Sequence, residues 1–362
     1  MDHISLQYPA KRSAEQIRQT KPAGNLYPIG KEGNAPNRFY FGDNLAVLSL
    51  LGERYHGKVD LIYLDPPFGT GQSFAKPDEN VAYIDHAPDY HFLEFLRERL
   101  ILLHDLLSER GSLYLHIDKK IGHYVKLIMD EVFGYANHLN DLTRIKCNPK
   151  NFSRKAYGNY SDMVLYYAKN RDQQIWEPQY EPLSEEDLAT LYPKKDPKKG
   201  AYTTHPLHAP GETRNGDTGQ AWKGMPPPKG RHWRYKREVL DQLDDEGLIE
   251  WSSTGNPRKK VFAKDHPGKK VQDVWEFKDK GLSYVSYPTE KNHDLLARII
   301  QHSSLPESIV LDPFAGSGSF LLTAQKLGRT WLGIDQSAQS RQIIQSHLKT
   351  QEIDYHEFEY RE

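Results

Sequence analysis

An apolar run from Val59 to Leu64 halts at Asp65-Pro66-Pro67-Phe68, and no other feature limits the fold as tightly. Near-continuous apolarity predicts a strand buried on both faces, as in a parallel sheet covered by helices. The two prolines remove two N–H donors and fix two φ angles. The strand must therefore stop there, with rigid carbonyls and one carboxylate pointing outward.

Further strand-then-helix patterns surround this run. Arg38 to Phe41 reads as a short strand ending at Gly42-Asp43-Asn44, after which Leu45, Leu48, Leu51 and Tyr55 recur at helical spacing. A helix through Phe92, Leu96, Leu100 and Leu107, a strand at Gly111 to Ile117, a helix at Ile121 to Phe133 and a strand at Met163 to Ala168 follow. Near the other end come helix Leu295 to His302, strand Ile309 to Leu311, helix Phe320 to Leu327 and strand Thr330 to Ile334. Such alternation specifies an α/β fold with a doubly wound, Rossmann-like sheet. One sheet drawn from both flanks is the economical solution, with five or six strands from the first and two from the second. The expected division is an extended N-terminal arm over 1–37, one half of the sheet domain over 38–170, an insertion over 171–280 and the other half over 281–362.

Charge supports that division. The chain carries 48 basic and 49 acidic residues, which excludes a uniformly basic nucleic-acid coat. Residues 141–280 nevertheless hold 26 basic against 21 acidic side chains. Cys147 is the only cysteine, so no internal disulfide and no cysteine-based zinc site is expected, in keeping with a reducing cytoplasm. No apolar run approaches the roughly 18 residues of a membrane span, and the first residues lack the apolar segment of a secretory signal. His116 and Asp118 lack a third ligand at convincing spacing, so no metal is expected and a structural or substrate-positioning role is preferred.

Two motifs carry chemistry. Asp312-Pro313-Phe314-Ala315-Gly316-Ser317-Gly318 sits where a strand opens into a helix, and Gly316 and Gly318 let the backbone approach a ligand. A dinucleotide fingerprint would need glycine where Leu321 stands, and a phosphate-binding Gly-Lys-Ser/Thr is missing, so NAD and ATP lose ground. Asp335 ends the next strand, at the separation where a carboxylate accepts ribose hydroxyls. The same residues would also serve a tight turn without ligand. At Asp65-Pro66-Pro67-Phe68, outward acceptors beside a flat ring suit an exocyclic amino group on a planar heterocycle, such as N6 of adenine or N4 of cytosine. The bland alternative is a proline-terminated strand with a solvated aspartate.

In the middle, Trp222 to Arg237 contains Arg231, Arg234, Lys236 and Arg237 among aromatic residues and no acid, and a second cluster includes Arg258, Lys259 and Lys260. Both are candidate DNA contacts, although basic runs are usually solvated faces.

Together the two motifs resemble the S-adenosylmethionine-dependent amino-methyltransferases of DNA, whose signature pairs a D/N/S-P-P-Y/F tetrad with an F-x-G-x-G loop. The tetrad comes first here, which resembles the permuted β class. The likeness covers most of the chain and is closest to type III-like adenine-specific enzymes. One departure is Glu290-Lys291-Asn292, where the family usually shows Gln-Lys-Pro.

The resemblance implies methyl transfer from S-adenosylmethionine to N6 of adenine in duplex DNA after base flipping, with Asp65, Pro66, Pro67 and Phe68 at the target base. It implies a cofactor held by Asp43, Thr289, Lys291, Asp312, Phe314, Gly316, Gly318 and Asp335, with the insertion as target-recognition region. Asp43 would lie beside the cofactor's adenine, although it could equally cap its helix. Cytosine N4 methylation and a catalytically silent DNA-binding subunit are the alternatives. A homodimer and a restriction or defence-system partner are compatible with the resemblance, and a membrane is not.

Overall fold

The computed structural model describes residues 4–30, 35–67, 90–149, 155–279 and 291–362. Phe68 and Thr289 lie outside the described residues. The chain divides into two compact units, one formed by 1–179 with 272–362 and the other by 180–271.

In chain order, the first stretch carries α1 (Ala14–Gln19), β1 (Asn25–Ile29), β2 (Arg38–Phe41), α2 (Asn44–Tyr55), β3 (Val59–Leu64), α3 (Tyr90–Leu106), β4 (Leu107–Ile117), α4 (Lys119–Phe133), β5 (His138–Ile145) and β6 (Ser161–Ala168). Residues 180–271 add β7 (Tyr180–Glu181), α5 (Glu185–Leu191), β8 (Lys194–Asp196), β9 (Gly200–Pro206), β10 (His208–Pro210), β11 (Arg231–Trp233), α6 (Arg237–Asp245), β12 (Ile249–Trp251), β13 (Pro257–Phe262) and β14 (Lys269–Lys270). The chain then returns with β15 (Val274–Glu276), α7 (His293–Ser303), β16 (Ile309–Asp312), α8 (Ser319–Lys326), β17 (Thr330–Asp335), α9 (Ala338–Thr350) and β18 (His356–Arg361).

The larger unit is built on one sheet in the order β1-β18-β2-β17-β16-β3-β4-β6-β5-β15. Every residue of β3 is buried, as its apolar run requires, and β3 lies parallel between β16 and β4. The strand that leads into Asp65 and the strand that ends in Asp312 are therefore neighbours, although they come from opposite ends of the chain. Asp60, the one charged residue within β3, is buried and accepts hydrogen bonds from Ser108 and Ser308, at 2.7 Å each. It ties the two sequence halves together beneath the sheet's working edge.

The sheet is wider than the sequence indicates. β5, β15 and β18 were not anticipated, because β15 has only three residues and β18 (HEFEYR) alternates polar and aromatic side chains without a continuous apolar run. The expected extended arm instead contains α1 and β1, and β1 pairs antiparallel with β18. Tyr8, Lys11 and Arg12 fasten the preceding segment to Glu94, Glu131 and Glu98. No described helix is long and apolar enough to cross a membrane.

The smaller unit has its own core, in which Leu207, Trp222, Trp233, Leu240, Leu243 and Ile249 pack together. Its four-stranded sheet runs β12-β13-β9-β8, and β10 pairs with β11 separately. Between the two basic clusters, α6 runs from Arg237 to Asp245, and Ile249 opens β12.

Candidate active site

The ends of β3, β16 and β17 and the loop after β2 enclose a cleft of about 440 Å³, in the size range of small-molecule sites. Gly42, Asp65, Lys291, Asp312, Phe314 and Asp335 are among its lining residues, as are Pro66, Pro67 and Gly316. Eight sequence-derived candidates thus converge on one place: Asp65, Pro66, Pro67, Lys291, Asp312, Phe314, Gly316 and Asp335.

Strand geometry positions the carboxylates. Asp312 closes β16, is almost fully buried, and accepts from the Phe314 N–H at 2.9 Å. Burial pushes its pKa well above the usual carboxylate range, and the charges of Asp65 and Asp335 add to the shift. Asp335 closes β17, and burial raises its pKa as well. Its two oxygens accept from the backbone N–H groups of Gly316 and Ser337, each at 2.8 Å. The glycine loop is therefore held by the same carboxylate that faces the cleft. A buried and a half-buried carboxyl group, both with raised pKa values, form a site poised for a cationic or hydroxyl-rich ligand.

Gly318 is the N-cap of α8 at φ +78°, and a Cβ there would lie 2.9 Å from Ile344 Cγ1. Its part is the turn itself, for it is not among the cleft-lining residues. Asp43 takes the helix-capping position that was the alternative to a cofactor contact. Its Oδ1 caps α2 by accepting from Leu45 and Ala46, and its Oδ2 lies 3.2 Å from the buried Arg99. Its neighbours Gly42 and Asn44 line the cleft instead. The cap is in place, and Asp43 itself is not among the cleft-lining residues.

Asp65 carries the sharpest feature. Its Oδ2 lies 2.9 Å from Lys291 Nζ, and both side chains are largely buried. Two positions before it on the same strand, Tyr63 stacks on Phe320 with ring centroids 5.4 Å apart and also lines the cleft. The Tyr63 hydroxyl lies 3.1 Å from His116 Nδ1, and His116 Nε2 lies 3.2 Å from Asp162. Sequence reading noted His116 only beside Asp118, which proves to be the N-cap of α4. Tyr63 was not singled out, although a strand period of 2 places it on the same face as Asp65. No group of residues that could hold a metal ion is found among the described residues.

The smaller unit distributes its basic candidates unevenly. Arg231, Arg234, Lys236 and Arg237 are exposed. Arg231 lies beside His208 at 3.2 Å, and Arg234 donates to the Pro206 carbonyl. Burial, followed by the charges of Arg231, Arg234 and Arg258, lowers the pKa of His208 and identifies these groups as near neighbours. Arg258 is partly committed to Thr204, Lys259 lies over the Tyr235 ring, and Lys260 faces Asp196 at 3.5 Å. Trp222 and Trp233, two of the aromatic residues interleaved with this basic stretch, are core residues only 1% exposed.

Comparison with known proteins identifies relatives of the chain. The DNA methylase family (N6_N4_Mtase) matches residues 59–346. The chain is 41% identical to the type II methyltransferase M.EcaI of Enterobacter cloacae, over 92% of this chain and 75% of that protein. It is 27% identical to the StyLTI Mod subunit, a type III restriction-modification enzyme of Salmonella typhimurium, over 88% of this chain but 54% of that one. It is 24% identical to the DNA adenine methyltransferase YhdJ of Escherichia coli, over 89% and 87% of the two chains.

Proposed function

The chain belongs to the DNA methylase family, and from that premise we propose that it methylates N6 of adenine at a specific sequence in duplex DNA, using S-adenosylmethionine. The observation that carries the reading is the cleft itself, in which Asp65 at the end of β3 faces the same space as Asp312 and Asp335 at the ends of β16 and β17.

The donor set fits this cofactor. Asp335 suits its ribose hydroxyls, the buried Asp312 its cationic methionine end, and Phe314 its apolar surface. Lys291 stands within the same cleft. When bound, the cofactor supplies an electrophilic methyl group on a sulfonium.

The chain's own residues solve the acceptor's problem. An exocyclic amino group delocalises its lone pair into the ring and is a poor nucleophile. Asp65 and the Pro66 carbonyl accept its N–H bonds, which draws the lone pair back onto nitrogen. The nitrogen so exposed would take the methyl group that the cofactor supplies, with the carbon–sulfur bond pair leaving on sulfur. The nitrogen sheds one proton, for which the Asp65 carboxylate is a base within the cleft. Burial of the cleft walls keeps these interactions out of bulk water. A base inside duplex DNA can reach Asp65 only by leaving the stack.

Asp in the tetrad favours adenine, and one relative is named an adenine methyltransferase. The unit formed by 180–271 supplies the DNA-contacting surface, with Arg231, Arg234, Lys236 and Arg237 as its exposed cations. Sequencing of modified bases in DNA from cells expressing the chain tests the whole reading. N6-methyladenine at one recurring sequence is the expected result. N4-methylcytosine would overturn the choice of base, and unmodified DNA would overturn the activity.

A further inference from the structure

A buried polar row crosses four adjacent strands behind Asp65. Tyr63 on β3 meets His116 on β4, His116 meets Asp162 on β6, and Asp162 faces Arg144 on β5 at 3.7 Å and Lys146 at 2.6 Å. Tyr63, His116, Asp162 and Arg144 are all at most 3% exposed. A polar row of this kind is costly to bury and is often no more stable than an apolar replacement. Its position, ending on a cleft-lining tyrosine two residues from Asp65, calls for a functional reason.

The protons in the row have one self-consistent arrangement. Burial, and then the charge of Lys291, lowers the pKa of His116, so the ring is neutral. Burial opposes ionisation of Asp162, but hydrogen bonds from His116 and Lys146 hold its pKa below the usual range. An ionised Asp162 accepts only, so His116 must donate from Nε2 and present a bare Nδ1. Nδ1 then accepts the Tyr63 proton. Without that acceptor, the hydroxyl would turn to other acceptors of the cleft that Tyr63 lines, of which the Asp65 carboxylate, two residues along on the same face, is one.

We propose that Tyr63, His116 and Asp162 form a positioning relay that commits the Tyr63 hydroxyl to His116 and so leaves the Asp65 oxygens to Lys291 and the acceptor amino group. The relay rests on the methyl-transfer reading above. Its members are positioning residues that act through Asp65. Asp162→Asn turns the side chain's donor toward Nε2 and forces the proton to Nδ1, which releases Tyr63 toward Asp65. In a Tyr63→Phe background the same change has nothing to release.

The test is a double-mutant cycle on the full chain, with labelled S-adenosylmethionine and unmethylated genomic DNA as probes. Transfer by the unaltered chain is read first, since without it the methyltransferase reading itself falls and the relay with it. Asp162→Asn is expected to lower kcat by roughly tenfold or more with Tyr63 present, and by less than about twofold in Tyr63→Phe. An equal loss in both backgrounds overturns the relay and leaves a purely structural role.

Should Asp162→Asn fail to fold, the pH profile of kcat decides between the unaltered chain and Tyr63→Phe alone. His116 is faced by Tyr63 and Asp65 from β3, Asp162 from β6, Arg144 from β5 and Lys291. Protonation of His116 in acid puts a proton on Nδ1 and releases Tyr63, so the acid limb of kcat should move to lower pH when the hydroxyl is absent. Superimposable profiles overturn the proposal.

Discussion

The ammonium of Lys291 lies 2.9 Å from Oδ2 of Asp65, so the proposed acceptor of the target amino group is an ion pair before any substrate arrives. The lysine comes from the segment just before α7, and the aspartate directly follows β3. An incoming amino group therefore shares the carboxylate with a cation. That arrangement bears directly on what loss of the carboxylate does.

Asp65→Ala should abolish methyl transfer while changing the dissociation constant for S-adenosylmethionine by no more than a few-fold. The carboxylate is assigned to the acceptor, and Asp312 and Asp335 remain for the cofactor. Parallel calorimetry and label transfer separate the two effects. Retained turnover would remove Asp65 from the mechanism.

Cofactor binding should release protons. Burial raises the pKa of Asp312 well above the ordinary range, so the free protein keeps that proton at pH values where an exposed aspartate has lost it. A bound cation favours the carboxylate and expels the proton. Affinity should therefore rise with pH until the free group is ionised. Calorimetry in buffers of different ionisation enthalpy reads the released protons, and Asp312→Asn should remove them. The same raised pKa means that Asp312 favours the folded state most at low pH, and that this contribution is lost as pH rises toward its folded value.

Asp335→Ala should weaken cofactor affinity by about 1.5–3 kcal/mol, the range for hydrogen bonds to a charged group. It also removes the acceptor that holds the Gly316 N–H, so the loop itself should loosen. Increased hydrogen exchange at Gly316, together with the affinity loss, is the expected pair of observations.

Neutralising two of the exposed residues Arg231, Arg234, Lys236 and Arg237 should weaken binding to cognate and scrambled duplexes alike. The slope of log affinity against log salt should flatten by roughly 0.9 per lost phosphate contact. Lys260→Ala should do much less, because that ammonium already faces Asp196. Titrations of both duplexes at several salt concentrations check this. A change confined to the cognate duplex would instead assign the residues to base edges.

Gly318→Ala should destabilise the larger unit by at least about 1–2 kcal/mol, the cost of a left-handed backbone for a residue with a Cβ. The new methyl would also press on Ile344. Denaturant unfolding of the two proteins gives the difference.

Local chemistry made much of this protein legible in its sequence. The buried run of β3 followed by two prolines, the Asp312 to Gly318 loop and the aspartate closing β17 each announce a strand end through residue type alone. They account for seven of the eight candidates that line the cleft, because turn chemistry and period-2 burial are fixed within a few positions, whereas Lys291 came only from the family resemblance. Only the tertiary structure decided what depends on strand order. Adjacency of β3 and β16 brings Asp65 and Asp312 to one cleft, and the β4-β6-β5 neighbourhood builds the row behind Tyr63. It likewise decided that Asp43 caps α2 and meets Arg99, and that Trp222 and Trp233 fill a core. A side chain's residue type sets what it can bond. Which partner it meets is set by packing between segments that the sequence keeps far apart.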